Sequence, residues 1–292
     1  MNDILASFKT YLYSVGYRSG TQQALPRLVK EFTSQQQISD ISCVEQQVIR
    51  SFFAYLQTRP LKQKSGALSA STINQYVYAL KTFFRWLEIT GQCDYNPISS
   101  IKFKQPLHRS RQPLSIPEIQ QLFEAAVTLK QQAVLHLFYS CGLRRSETEM
   151  LNIKDIHFKQ QLLYVRAGKG AKRRVVPLTA GVTAVLENYY LNERTNHAVK
   201  KVKDENAFLL NNYGARMNGD NMHKLLKRLV KKSGIPLAEN EGISLHHLRH
   251  SIATHLLQSG MSMEYVRDFL GHTRLETTQL YAKLPASQLK SL

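Results

Sequence analysis

The chain has 292 residues, enough to bury one core or two, and its 39 Lys plus Arg against 21 Asp plus Glu leave a net charge of +18. The excess suits a polyanionic partner and is shared along the chain: up to Lys104 there are 12 basic and 6 acidic residues, net +6, leaving 18 − 6 = +12 for the remainder. Cys43, Cys93 and Cys141 make no CxxC pair, and the sequence holds no apolar leader core, no apolar run of about 18 residues and no GxxxxGK[ST] loop, which argues against a disulfide framework, a cysteine zinc site, a membrane span and nucleotide hydrolysis. The expectation is a cytoplasmic protein with no membrane contact and nucleic acid as its partner.

The first hundred residues carry helix-like apolar spacing near Ile4–Val15, Gln22–Phe32 and Val44–Gln57, separated by polar loops such as LKQKSGALSAS. The pattern is best seen in STINQYVYALKTFFRWLEITG, where Ile73, Tyr76, Val77, Leu80, Phe83, Phe84 and Leu87 share a face, Ser71 or Thr72 can cap the start and Gly91 can end the helix. Residues 1–100 therefore read as a small helical domain. From 101 to 113 the periodicity fails: Pro106 and Pro113 interleave with Lys102, Lys104, Arg109 and Arg111, a basic linker able to lie along DNA. SIPE, Ser115–Glu118, is a capping box that opens a second domain, 114–292. Two helices follow up to about Cys141, and Gly142 sits where a helix would end. DIHFKQQLLYVRAGKGAKRRVVPL then changes texture to β-rich pieces around a Gly-rich turn, a small antiparallel sheet, before helices return from Thr179. The fold expected is mainly α with a small antiparallel β-sheet: an N-terminal helical domain and a mixed α/β C-terminal one.

LHHLRHSIATHLLQSG, Leu245–Gly260, crowds four histidines and an arginine onto one helix. At about 100° per residue Leu245, Leu248, Ile252 and Leu256 form an apolar stripe, with His247, Ser251, Thr254 and Gln258 on the opposite side. Arg249 falls beside the stripe, with His246 three residues before it; an arginine there either snorkels out or meets an anion, because an unpaired buried charge is expensive. His246 and His250 have the i, i+4 spacing of a zinc pair, but His247 stands where a zinc protease needs Glu and Arg249 would set a fixed positive charge beside the metal, so no metal is expected. His247 and His255 read as polar helix residues with no ligand role.

Other motifs are weaker singly. In FYSCGLRRSETEMLNI, Arg144 and Arg145 follow a glycine and precede Ser146, a plausible cap for the next helix; a solvated turn is the plain reading, and for Arg145 the favoured one. Lys169, between Gly168 and Gly170, tops a hairpin whose glycines allow close approach to a phosphate. Tyr281 is one of 14 tyrosines. Taken in order, however, GLRRSE, GKGAKRRVVPL, HHLRHSIATHLL, LGH and Tyr281, nine residues after His272 (281 − 272), resemble the tyrosine recombinase family of integrases and Xer-type site-specific recombinases. The resemblance reaches nearly the whole chain, since STINQYVYALKTFFRWLEITGQCDYNPISSIK is similar to the end of that family's N-terminal DNA-binding domain.

The resemblance implies six catalytic positions: Arg144, Lys169, His246, Arg249, His272 and the nucleophile Tyr281. Glu147 and His250 would support them, and Lys102, Lys104, Arg109, Arg111, Lys172 and Arg173 would contact DNA. It further implies a 3′-phosphotyrosyl intermediate, no metal or other cofactor, and a homo-tetramer on two DNA duplexes, with a second recombinase or accessory protein as a further partner. A topoisomerase of type IB and a non-enzymatic DNA-binding accessory protein are the competing readings.

Overall fold

The computed structural model describes residues 1–60, 67–103, 112–166, 173–194, 202–235 and 242–271. The chain divides into two compact units, Met1–Arg109 and Ser110–Leu292.

Among the described residues, four helices build the first unit: α1 (Asn2–Ser14), α2 (Ser19–Gln35), α3 (Gln46–Thr58) and α4 (Ala70–Ile89). The apolar spacing of α4 becomes its core face, with Leu80, Phe83, Phe84 and Leu87 fully buried. Aromatic edges meet across the helices, Phe8 on Phe83 at 5.1 Å and Phe32 on Phe52 at 5.0 Å. The cap of α4 is Ser69, not Ser71 or Thr72: its backbone is extended and its hydroxyl accepts from the Thr72 N–H at 3.1 Å, so the helix starts earlier than the apolar pattern marks. Gly91, just beyond the end, takes the left-handed conformation at φ +66°. Ile101 is buried and Phe103 packs on Phe53 at 4.6 Å, so the start of the 101–113 segment is fastened to this unit's core. Lys102 between them is exposed. Lys104, Arg109 and Arg111 lie outside the described residues.

The second unit opens with α5 (Ile116–Ala125), and both halves of its capping box form: Ser115 N–H donates to the Glu118 carboxylate at 2.7 Å, and Glu118 N–H to the Ser115 hydroxyl at 3.4 Å. Then come α6 (Leu129–Phe138), α7 (Arg145–Glu149), the strands β1 (Ile156–His157), β2 (Leu162–Val165) and β3 (Arg174–Pro177), and α8 (Ala180–Asn188). Helices α9 (Gly219–Ser233), α10 (Leu245–Gln258) and α11 (Met263–Leu270) follow. The strands form an antiparallel sheet in the order β1-β2-β3, with Leu163 opposite Val176 and Val165 opposite Arg174. Buried side chains of α5, α6, α9 and α10 join the inward residues of the sheet in one core. Gly142 ends the run after α6 at φ +57°, and a Cβ there would stand 2.9 Å from Leu270 Cδ2, so only glycine lets α11 approach this turn. Among the described residues no helix is long and apolar enough to cross a membrane.

Candidate active site

Arg144 caps α7 with extended backbone, and its own N–H donates to Glu147 Oε2 at 2.8 Å. That carboxylate, not Ser146, satisfies the start of the helix; Ser146 already lies inside it. The guanidinium of Arg144 folds the same way, Nη1 donating to Glu147 Oε1 at 2.6 Å, while Nη2 donates to the carbonyl of Gly271 at 2.7 Å. A side-chain exposure of 21% leaves it within reach of a solvent-borne anion.

Glu147 is almost wholly buried and gathers three arginines. Arg174, at the start of β3, chelates it with Nη1 to Oε1 at 3.0 Å and Nη2 to Oε2 at 2.9 Å. Arg249, from α10, stands with Nη1 3.8 Å from Oε2. Burial by itself would raise this carboxyl's pKa; the hydrogen bonds and charge of Arg174, and then the hydrogen bonds of Arg144, outweigh it and hold the group at about 2. It is therefore ionised at neutral pH. Three guanidiniums against one carboxylate leave 3 − 1 = +2 among these four groups.

The arginines share a second anchor. At the C-terminal end of α11 three successive carbonyls each accept from a different one: Phe269 from Arg174 Nε at 2.8 Å, Leu270 from Arg249 Nη2 at 2.5 Å, and Gly271 from Arg144 Nη2. Arg249 also donates to the carbonyl of Gly142. A helix C-terminus carries unsatisfied carbonyls and the negative end of the dipole, so it suits cations. Gly271 turns the chain at φ +64°, and a Cβ on it would lie 3.0 Å from Arg174 Nη1. A compact positive cluster has thus been assembled from α7, β3 and α10 against the last turn of α11.

The model of the phage integrase family matches residues 113–287, which spans every element of this cluster. Over 303 aligned residues the chain is 30% identical to the tyrosine recombinase XerD of Listeria innocua, covering 100% of this chain and 97% of that one. The chain belongs to the phage integrase family of tyrosine recombinases. Among solved structures, the XerA recombinase matches with a TM-score of 0.53 and 26% identity over 99% of this chain and 96% of that one. The integrase of the Tn1549 transposon, solved in complex with transposon right end DNA, shares the fold at a TM-score of 0.75 and 19% identity, over 98% and 97% of the two chains.

In this recombinase two of the described candidate residues come together at Glu147. Arg144 and Arg249 meet there, while His246 is exposed one turn before His250, which is half-buried on the same helix. Arg173 is exposed at the foot of β3. Lys169 and Lys172 lie between β2 and β3, outside the described residues, as do His272, which follows Gly271 directly, and Tyr281. Among the described residues no group of three or more His, Cys, Asp or Glu side chains is placed to share a metal ion.

The structure adds to the sequence reading at two points. The face of α10 opposite its apolar stripe, whose exposure the helical projection left open, is enclosed: His247 and His255 are buried, and Ser251 and Thr254 fully so. The segment leading into α5 covers it, with Leu114 N–H donating to the Ser251 hydroxyl at 2.8 Å and His247 Nε2 lying 3.2 Å from the Gln112 carbonyl. His255 pairs instead with the Tyr139 hydroxyl at 2.9 Å, and burial lowers its pKa and pushes that of Tyr139 up to about 12. The second point is Arg174, which sequence reasoning passed over for its neighbour Arg173. The available signal was strand alternation, since Arg174 shares a face with the buried Val176, while Arg173 and Val175 are exposed.

Proposed function

We propose that this recombinase cleaves and rejoins duplex DNA at a specific site through a covalent 3′-phosphotyrosyl intermediate. The observation that carries the reading is the surplus of positive charge in the Arg144–Glu147–Arg174–Arg249 cluster, in a family whose members bear the name tyrosine recombinase. A phosphodiester is an anion, and attack on phosphorus builds more charge on its oxygens. Guanidiniums bind such oxygens through several N–H donors and stay charged throughout. Among the described residues, hydrogen bonds engage two of the five side-chain N–H donors of Arg144, so it can hold an anion without leaving Glu147.

On this reading Tyr281 Oη attacks phosphorus, the bond to the 5′ oxygen breaks, and the phosphodiester energy is kept in the protein–DNA link. His246, on the exposed edge of α10, takes the phenolic proton, because a tyrosine with a reference pKa of about 10 needs a base. Lys169 returns a proton to the leaving 5′ oxygen, and His272 polarises a phosphate oxygen. Glu147 and His250 support this set. The reaction draws on no nucleotide, as the bond energy is conserved, and on no metal, as the guanidiniums take up the charge on the phosphate oxygens.

The helical unit Met1–Arg109 supplies a second DNA surface. Lys102 and the linker residues Lys104, Arg109 and Arg111 follow the DNA backbone, and Lys172 with Arg173 of the second unit add to its contacts. Four copies on two duplexes then carry out strand exchange in the cytoplasm, with or without a second recombinase or accessory protein. The solved DNA complex of the Tn1549 transposon integrase supports DNA as the partner.

The test is to incubate the chain with a random pool of nicked duplexes that trap the intermediate, then sequence the DNA attached to protein. Wild type is expected to retain a defined set of sequences with a free 5′ hydroxyl, and Tyr281→Phe to retain none. Covalent DNA in the Tyr281→Phe variant would overturn the assignment. Relaxation of supercoils by a monomer without site preference would instead favour a topoisomerase, and sequence-specific binding without cleavage an accessory protein.

A further inference from the structure

Arg174 is almost entirely buried, with a side-chain exposure of 8%, and every bond from its guanidinium ends on another part of the site. Two nitrogens chelate Glu147, whose oxygens also take the backbone and side chain of Arg144. The third donates to the Phe269 carbonyl in the last turn of α11. Its own backbone begins β3, paired with Val165 of β2, the two strands that flank Lys169. The tight approach of Gly271 to its side chain brings the chain directly before His272 against the same group.

We propose that Arg174 is a positioning residue of the reaction: through Glu147 it fixes the guanidinium of Arg144, and it keeps the end of α11 in register with that guanidinium. The proposal rests on the phosphotyrosyl reading above for its kinetic consequence, though not for its geometry. Glu147 offers two oxygens to three arginines. Without the chelate from Arg174, the carboxylate can turn toward Arg144 and Arg249, and the bond that orients Arg144 loses its fixed direction. Lysine cannot replace it, because an ammonium is a point charge on a flexible stem, and one nitrogen cannot span both carboxylate oxygens and the Phe269 carbonyl together.

The experiment compares the wild type, Arg174→Lys and Arg174→Gln on the DNA sequences that wild type captures covalently. Single-turnover cleavage at saturating protein is expected to fall about 100-fold or more in Arg174→Lys, as a small misplacement of a positioned group costs on that order, while affinity for the same DNA changes less than about threefold. Combining Arg174→Lys with Glu147→Gln is expected to add little further loss, because the two act through one contact. Equal losses in cleavage and affinity, unchanged cleavage at saturation, or losses that multiply in the double variant would each overturn the proposal.

Guanidinium NMR of the DNA-free chain gives a readout independent of activity. The Arg144 Nη protons are expected to exchange with water at least tenfold faster in Arg174→Lys, and unchanged exchange would overturn the proposal even if Arg174→Gln does not fold. If wild type captures no DNA, the recombinase reading falls while this measurement still decides the role of Arg174.

Discussion

Glu147 shows how one buried charge sets the chemistry of its neighbours. Its folded-state pKa of about 2 lies below the ordinary value of 4.5, so its stabilising contribution is fully present above about pH 4.5 and is lost as pH falls through about 2. The difference corresponds to roughly 3 kcal/mol. Replacing Glu147 by Gln is therefore expected to destabilise the second unit by about that amount at pH 7, since two of its guanidinium partners are themselves largely buried. Urea unfolding of both proteins across pH 2 to 7 checks this: the curves should converge at the acid end, and a constant separation would contradict the assignment of the acid limb to this carboxylate. That an acid stands three residues after Arg144, as the resemblance implies, was legible in the sequence. The gathering of three arginines on it was not, since Arg174 and Arg249 come from a strand and a helix farther along the chain.

At the level of elements, the turn at Gly142 and the helix α10 carry the most weight. Gly142 combines positive φ with a lack of room for a Cβ beside Leu270 and Phe269, and its carbonyl receives Arg249. Gly142→Ala is expected to cost about 1–3 kcal/mol by imposing a left-handed conformation on a residue with a side chain. It should also lower cleavage, because the carbonyl that holds Arg249 shifts; loss of melting temperature with unchanged cleavage would separate the two effects. Removing the Ser251 hydroxyl leaves the buried Leu114 N–H without that acceptor, so Ser251→Ala is expected to destabilise by about 1–3 kcal/mol in thermal unfolding. The periodicities behind α4 and the capping box of α5 were readable because they are local. The burial of His247 and Ser251 was not: a helical projection knows only its own helix, and the covering segment lies 137 residues away in sequence at Leu114.

Across the whole molecule the +18 charge and the division into two units give the binding expectation. If six to ten phosphates are neutralised, affinity should fall about 10³- to 10⁵-fold between roughly 50 and 200 mM salt, and the slope of log affinity against log salt counts those contacts. A flat dependence would contradict a backbone-tracking interface. The candidate site was read as an ordered series of motifs; of its described members, Arg144 and Arg249 meet in space with Arg174 at the last turn of α11. That turn has a consequence for a shortened chain. The arginines at 144, 174 and 249 reach their three carbonyls only once residues 269–271 exist. A chain cut short before that turn keeps Glu147 but lacks all three acceptors, so the arginine cluster reaches its full set of bonds only with the end of α11 in place.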